Sequence, residues 1–341
     1  MKLLFLTQKV DRNDDVMGFV HSWLLKFSRK FEKIIAVCLE KGEYNLPKNV
    51  KVLSLGKESG RSRLKYLFNL YKFIIKERKN YDCVFVHMNQ EYVILGGLIW
   101  RFLGKKIIFW HNHRHGSFFT WLSAKISNAV FYTSPFAYTA RFKNAKIAPA
   151  GIDAEVFKRN ENIQKIPRSI LCLGRISPVK RLEVLIEAAE ELEKNGVEFV
   201  LNIIGGAPER DKEYFEKIKT LSRNLEEKGR IKFLGEISNL KTPEIYNQNE
   251  IFVNLTPEGS LDKTILEAMA CEVPVVVANK SFEKDLPGRL IFENSRDLAE
   301  KISALLNAPF DERKTLGRQL RAYSIENHGL DKLTEKIIRE L

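Results

Sequence analysis

The chain has 341 residues, of which 44% are hydrophobic and 29% are charged. This length suits two domains of ordinary size, and the composition excludes a disordered protein. The net charge of +13 is uneven: residues 1–160 hold 28 Lys and Arg against 12 Asp and Glu, a balance of +16, and the remainder has a balance of −3. We therefore expect the first half to face something anionic, such as acidic lipid headgroups, a lipid diphosphate or nucleic acid.

The apolar segments of the sequence argue against membrane insertion and secretion. The first residues form an apolar run too short for a signal peptide, so we expect a buried first strand. The longest apolar run, residues 92–104, is interrupted by Arg101, falls short of the ~20 apolar residues of a spanning helix and predicts a core helix. Four single cysteines within apolar runs favour buried thiols over disulfides or a metal site. These features predict a cytoplasmic protein, placed peripherally on the inner face of the cell membrane by its basic half.

Apolar, β-branched runs alternate with helical periods along the chain, which predicts an α/β protein with doubly wound parallel sheets. The strands predicted in the first half are Lys2–Thr7, Lys33–Leu39, Val50–Leu55, Asp82–His87, Lys106–Trp110, Ala129–Thr133 and Ala145–Ala148. Those predicted in the second half are Ser169–Gly174, Glu198–Ile204, Arg230–Leu234, Ile251–Leu255, Pro274–Ala278 and Leu290–Phe292.

Two such series predict two domains, residues 1–155 and 165–325. A polar, proline-ended segment near residues 150–169 reads as the linker between them. The closing segment, residues 326–341, has helical periodicity, and we expect it to pack back on the first domain.

Two predicted helices of the first half, residues 19–31 and 61–79, place apolar residues beside many cations. Such helices can lie in a membrane interface, or the apolar stripe can belong to the core while the cations are solvated. The excess of cations in the whole half favours the membrane surface. The apolar positions are Trp23, Leu24, Phe27 and Phe31 in the first helix, and Leu64, Leu67, Phe68, Tyr71, Phe73 and Ile75 in the second.

Loops of the first half follow predicted strands and therefore lie at the edge where open α/β sheets bind ligands. Gly18, before the first helix, lets the chain approach a ligand closely. The segment IIFWHNHRHG, residues 107–116, alternates His111, His113 and His115 without acidic neighbours, so a ligand contact or a surface loop is favoured over a zinc site. The candidates for ligand contact in these loops are Met17, His87, Asn89 and His111.

Cations follow a strand in the second half. In GRISPVKR, residues 174–181, a glycine turn precedes Arg175 and, five residues later, Lys180. Arginine offers a planar fork and lysine a point charge, so the pair could neutralise a leaving diphosphate. Each residue alone is ordinary at a helix start.

The segment PEGSLDKTILEAMACEVPVVV, residues 257–277, places a loop of small residues before a helical run and an apolar strand. Such a junction offers backbone N–H groups and a positive helix end to a phosphate. Glu267 lies about one and a half turns inside the helix, within reach of groups attached to that phosphate.

Together, GRISPVKR and LEAMACEVPVVV resemble the nucleotide-sugar site of retaining GT-B glycosyltransferases of family 4. The resemblance implies two Rossmann-like domains facing a cleft. It also implies sugar transfer from a UDP- or GDP-sugar with retention of configuration and without a required metal or cofactor. It implies that Arg175 and Lys180 bind the diphosphate and that Glu267 binds the ribose hydroxyls. It also favours His113 as the residue that makes a hydrogen bond to the sugar or its phosphate. These four residues are the predicted catalytic group. The resemblance also places Met17, His87, Asn89 and His111 on the side of the acceptor.

One position departs from the family pattern. The first acid of the E-x7-E motif falls at Gly259, because Glu258 lies one residue too early. The GSLDK loop resembles a variant in which Asp262 or Lys263 takes over contacts to the sugar or phosphate; loss of activity is the competing interpretation. The residues predicted to bind the donor are Gly18, Gly174, Arg175, Lys180, Gly205, Gly206, Gly235, Gly259, Ser260, Leu261, Asp262, Lys263, Thr264 and Glu267.

The sequence therefore predicts a metal-independent, retaining hexosyltransferase whose acceptor is a lipid-linked or surface-glycan precursor. We expect it to act in polysaccharide or glycolipid synthesis at an anionic membrane and to bind no nucleic acid, for which the chain has no recognised motif. Two alternatives remain open. One is a non-catalytic nucleotide-sugar-binding protein, and the other is a GT-B sugar-nucleotide epimerase.

Overall fold

The computed structural model describes residues 1–60, 62–257 and 261–341, which form two compact units. The first unit contains Met1–Asp153, Ser238–Leu240 and Gly329–Leu341. The second contains Ala154–Ile237 and Lys241–His328. Within the described ranges, every helix is too short or too polar to cross a membrane.

A parallel sheet forms the centre of the first unit. Its strands are β1 (Lys2–Val10), β2 (Lys33–Lys41), β3 (Val50–Ser54), β4 (Cys83–His87), β5 (Lys106–Trp110), β6 (Ala129–Tyr132) and β7 (Ala145–Ile147). They pair in the order β3-β2-β1-β4-β5-β6-β7. The central strands β1 and β4 are nearly continuous apolar runs and are buried, as parallel strands covered on both faces must be.

The second unit is built around a smaller parallel sheet. Its strands are β8 (Ser169–Leu173), β9 (Val200–Ile204), β10 (Ile231–Phe233), β11 (Ile251–Asn254) and β12 (Val275–Val277). They pair in the order β10-β9-β8-β11-β12, so the strand order reverses direction beside β8. This reversal is the switch point at which open α/β sheets bind ligands at their carboxyl edge.

Helices connect the strands. They are α1 (Phe19–Ser28), α2 (Arg63–Lys76), α3 (Gln90–Phe102), α4 (Phe118–Ile126), α5 (Leu182–Lys194), α6 (Lys212–Glu227), α7 (Thr242–Gln248), α8 (Lys263–Ala270), α9 (Ser295–Asn307), α10 (Phe310–His328) and α11 (Leu330–Glu340). The buried residues of α1 and α11 share one core cluster, and those of α2, α3 and α4 share another. The predicted doubly wound α/β architecture is therefore confirmed.

Two local predictions were wrong. Residues 290–292 do not form a strand, because Pro287 and Gly288 begin a 3-10 turn and only Ile291 bridges to Val277. The second error concerns α1, whose apolar residues Trp23 and Phe27 are at most 1% exposed. This stripe belongs to the core, where α11 packs against it, and it does not face a membrane.

Candidate active site

Glycine turns end three neighbouring strands of the second sheet. Gly174, Gly205 and Gly235 follow β8, β9 and β10 and have φ angles of 146°, 141° and 73°. Gly205 admits no side chain, because a Cβ built there would lie 1.9 Å from the backbone oxygen of Gly174. The Gly205 N–H donates to the Gly235 oxygen at 2.8 Å, which joins two of the turns. Main chain without side chains therefore forms this part of the carboxyl edge.

The two predicted cations lie at the same edge. Arg175 and Lys180 line one recess, with Arg175 exposed and Lys180 partly buried. The N–H of Ile176 donates to the oxygen of Gly206 at 2.8 Å, which fixes the turn that carries Arg175 against the end of β9. The structure thus brings together the two cations and the glycine turns that the sequence predicted separately.

Asp262 is the centre of a hydrogen-bond network beside these cations. Its Oδ1 accepts from the N–H and the Oγ1 of Thr264, at 3.2 and 2.9 Å, and so caps α8. Its Oδ2 accepts from Asn254 Nδ2 at 3.0 Å, from Thr256 Oγ1 at 3.1 Å and from Lys180 Nζ. Burial opposes the charged form, but the Lys180 ammonium and these hydrogen bonds hold the Asp262 pKa well below its ordinary value. Asp262 is therefore a carboxylate at neutral pH.

The amino end of α8 is less open than the sequence suggests. The carboxylate of Asp262 occupies the N–H of Thr264, and the Asp262 main-chain oxygen accepts from the N–H of Ile265 at 3.2 Å. Both carboxylate oxygens of Asp262 accept hydrogen bonds from the protein itself. The structure therefore favours a role for Asp262 in holding neighbouring groups over the predicted contact with the sugar or phosphate.

Glu267 is buried inside α8. Tyr246 donates its hydroxyl to Glu267 Oε2 at 3.0 Å, and the carboxyl is 5% exposed. Burial raises the pKa of Glu267 to about 7, although the Lys263 ammonium opposes the shift. Near neutrality this group therefore exists both as an acid, which can donate a hydrogen bond, and as a carboxylate, which can only accept. Its predicted contact with ribose hydroxyls stays a prediction.

The histidines after β5 occupy different environments. His111 is buried, which lowers its pKa to about 4, and its Nδ1 has no hydrogen-bond partner among the described residues. His113 is exposed, and its Nδ1 accepts from the N–H of His115 at 3.2 Å. Of His111 and His113, only His113 can therefore present its ring to a ligand from solvent. The described residues contain no group of three or more His, Cys, Asp or Glu able to hold a metal ion.

His87 lies inside an aromatic cluster at the end of β4. Its ring centroid is 5.6 Å from that of Phe19 and 5.4 Å from that of Trp23, and its side chain is buried. The structure therefore packs His87 inside this cluster, and its predicted place on the acceptor side stays a prediction. Met88, the next residue, has φ of 67°, a left-handed conformation that is rare for residues with side chains and common at functional sites.

The remaining candidates of the first unit begin helices. Asn89 is the N-cap residue of α3, and its side chain accepts no hydrogen bond from an N–H of the first turn. Gly18 flanks α1, and its N–H donates to the oxygen of Asp14 at 3.2 Å. The same Asp14 accepts from the N–H of Met17 at 2.6 Å. These contacts fix the loop, and the predicted ligand contacts of Met17, Gly18 and Asn89 stay predictions.

The sequence of the second unit matches a known protein family. Residues 153–323, half of the chain, match the family model for glycosyl transferases group 1. The protein belongs to this family. The recess, the capped helix and the glycine turns described above all fall within the matched residues.

Two curated relatives each match about half of the chain. Spore coat protein SA of Bacillus subtilis (strain 168) is 25% identical over 178 residues, 50% of this chain and 47% of that protein. The putative colanic acid biosynthesis glycosyltransferase WcaL of Escherichia coli (strain K12) is 24% identical over 188 residues, 51% of this chain and 45% of that protein. The chain thus spans about half the length of the curated relatives it matches.

Solved structures match the fold over the whole chain. Alr3699/HepE of Anabaena, solved in complex with UDP and glucose, has a TM-score of 0.78 and 17% sequence identity, covering 99% of this chain and 98% of that chain. At this identity the similarity concerns the fold, and it confirms the predicted GT-B class.

The sequence reasoning on this group 1 member missed three residues. Asn254 and Thr256 belong to the Asp262 network, and both stand at the carboxyl end of a predicted strand, a signal that was available. Tyr246 donates to Glu267 from α7 and had no local signal, since only the folded chain brings together these two residues, 21 positions apart.

Part of the predicted donor site lies outside the described residues. Gly259 and Ser260, together with Glu258, are the residues concerned. Gly259 is where the first acid of the E-x7-E motif is missing, and this departure is therefore known from the sequence alone. Leu261, the next residue, is 9% exposed and contributes to the core.

Proposed function

We propose that this protein transfers a sugar from a nucleoside diphosphate sugar to an acceptor hydroxyl. The bond between the anomeric carbon and the diphosphate oxygen would break, a bond from that carbon to the acceptor oxygen would form, and the acceptor proton would be released. The observation that carries the proposal is the recess lined by Arg175 and Lys180 beside three glycine turns. Cations fixed at this edge would stabilise the negative charge that develops on the leaving diphosphate.

The finer features of the reaction belong to the same proposal. The likeness of the two motifs to retaining transferases supports retention of anomeric configuration. Arg175 and Lys180 supply two positive charges for the diphosphate, which supports a reaction without a required divalent metal. His113, exposed after β5, would donate a hydrogen bond to the sugar or its phosphate.

The relatives suggest which substrates to test first. Alr3699/HepE was solved with UDP and glucose, so UDP-glucose is the first donor and GDP-sugars are the second set. WcaL is named for colanic acid biosynthesis, which supports a lipid-linked or surface-glycan precursor as the acceptor. Thermal-shift screening against nucleotide sugars would identify the donor, because a tight ligand stabilises the native state by mass action.

We further propose that the enzyme works at an anionic membrane surface and that α2 faces it. Leu64 and Phe68 are 81% and 67% exposed, whereas Leu70 and Ile74 of the same helix are buried against the sheet. The helix carries Arg63, Lys65, Lys72 and Lys76 and no acidic residue.

This combination suits a helix whose apolar side chains enter the interface while its cations pair with acidic headgroups. The surroundings of α2 point the same way. Residues 92–152 contain no Asp or Glu. On the same face of the first sheet, α3 exposes Leu98 and Phe102, and α4 exposes Phe118 and Phe119.

Donor turnover by Arg175→Ala and Lys180→Ala tests the proposed activity. Each change should lower kcat/KM on the order of 10- to 100-fold, since a charge-assisted contact to the leaving group is lost. Arg223→Ala and Lys217→Ala, exposed cations on α6 of the same unit, are the matched controls and should keep the wild-type rate.

Near-wild-type rates in both site variants would contradict the assignment. Donor binding without turnover across a panel of acceptors would instead support a non-catalytic nucleotide-sugar-binding protein. Release of free products from the donor without any acceptor would support an epimerase. Chromatography of the reaction mixture separates these outcomes.

A further inference from the structure

The ammonium of Lys180 is held by groups that lie far away in the sequence. Its Nζ donates to Thr256 Oγ1 at 3.0 Å and forms an ion pair with the carboxylate of Asp262. A lysine ammonium has three N–H donors on a flexible four-carbon stem. These two contacts hold the ammonium beside the recess that Lys180 lines together with Arg175.

Resting on the proposed function, we propose that Asp262 is a positioning residue, which holds the Lys180 ammonium in place to bind the diphosphate of the donor. Asp262 itself does not bind the donor. Its Oδ1 is occupied by Thr264, and its Oδ2 by Asn254, Thr256 and Lys180. The carboxylate is therefore committed to the protein on both sides.

Charge and geometry predict opposite effects at this position. As a negative charge, Asp262 offsets the positive charge of Lys180, so its removal would strengthen diphosphate binding if net charge decided the affinity. As an anchor, Asp262 saves the cost of ordering a long side chain when the ligand arrives, so its removal would weaken binding. We expect the anchor to dominate, because preorganised charged donors bind better than mobile ones.

Asp262→Asn separates the anchor from the helix cap. An asparagine oxygen still accepts from the N–H of Thr264 and remains a good cap for α8. Its amide nitrogen, however, would turn a donor towards Lys180, and the ion pair is lost. Thr256→Val is the second variant, because it removes the other contact of Lys180 and leaves the cap intact.

The measurement is the ratio of affinities for UDP and UMP, with GDP and GMP as the second pair, by calorimetry at fixed salt. Lys180→Ala should reduce the wild-type preference for the diphosphate by about tenfold or more. Asp262→Asn should reduce it by about tenfold, and Thr256→Val in the same direction by less. The double variant Asp262→Asn with Lys180→Ala should match Lys180→Ala alone, because both changes remove one interaction.

A cap variant elsewhere provides the control. Asn294 caps α9 by accepting from the N–H of Asp297 at 3.0 Å, so Asn294→Ala should lower stability and leave the UDP-to-UMP ratio unchanged. If Asp262→Asn leaves the ratio unchanged, raises it, or weakens UDP and UMP equally while Lys180→Ala lowers the ratio, the positioning role is overturned. Two results would overturn the proposed function itself. One is a wild-type protein that binds UDP no more tightly than UMP, and the other is a Lys180→Ala variant with the same UDP-to-UMP ratio as the wild type.

Discussion

The two units share one architecture and differ in how they present it. The second unit has a near-neutral sequence, and its ligand edge is made of glycine turns, two cations and a carboxylate network. The first unit carries the positive charge, and its corresponding edge holds a packed His87, a buried His111 and an exposed His113. The same kind of sheet therefore supports a candidate site built from glycine turns and charged side chains in one unit. In the other it supports a basic surface specified by side chains.

The glycine turns of the second unit should be the most sensitive part of this contrast. Gly205→Ala places a Cβ 1.9 Å from the Gly174 oxygen at a φ of 141°, so we expect a loss of stability on the order of 3 kcal/mol or more. Urea unfolding measures it. Gly229→Ala is the control, because that glycine has φ of 72° but open space around it, and it should cost about 1 kcal/mol. Equal losses in the two variants would contradict the close approach of the turns.

The basic surface of the first unit should respond to the loss of exposed apolar residues. Leu64→Ser with Phe68→Ser should reduce binding to anionic vesicles by about tenfold or more, because two side chains no longer enter the interface. Sedimentation with phosphatidylglycerol vesicles measures it, and added salt should weaken the wild-type binding.

A control variant sharpens this experiment. Leu221→Ser removes a residue of α6 that is 44% exposed in the near-neutral unit, and it should bind vesicles like the wild type. Absence of wild-type binding at low salt would contradict the membrane proposal. Association of the protein with itself in place of vesicles would show that α2 is a protein interface.

A further predicted effect concerns pH. The folded-state pKa of Glu267 is raised to about 7 from an ordinary 4.5, so between these values the folded protein keeps a proton that the unfolded chain releases. The stability of the wild type therefore falls as pH rises through this window. Glu267→Gln lacks this titration, so its stability relative to the wild type should grow by about 2 kcal/mol from pH 4.5 to 7.

Denaturant titrations at several pH values between 4.5 and 7 test this expectation. Glu244→Gln, an exposed carboxyl on α7, makes the same change of charge without removing a buried group and is the control. If Glu267→Gln and Glu244→Gln change stability in the same way across this range, burial does not perturb the Glu267 carboxyl.

Much of the fold and the centre of the site could be predicted from local sequence. Parallel strands buried on both faces are written as apolar runs, and glycines after them mark the turns. Arg175 and Lys180 lie within one short segment that follows such a strand, so their place at the carboxyl edge follows from the strand itself. The hydrogen bonds of Asp262 could not be predicted in this way, because Lys180 reaches it across 82 positions of the chain.

The sequence by itself determined the alternation of strands and helices, the family and the cations of the site, because these depend on residues close together in the chain. Only the tertiary structure decided between α1 and α2, whose patterns of apolar and basic residues are alike. A stripe of apolar residues predicts that one face of a helix will leave water, but it does not say which surface will cover that face. The far end of the chain returns as α11 and packs on α1, whereas the outer side chains of α2 stay exposed among the described residues.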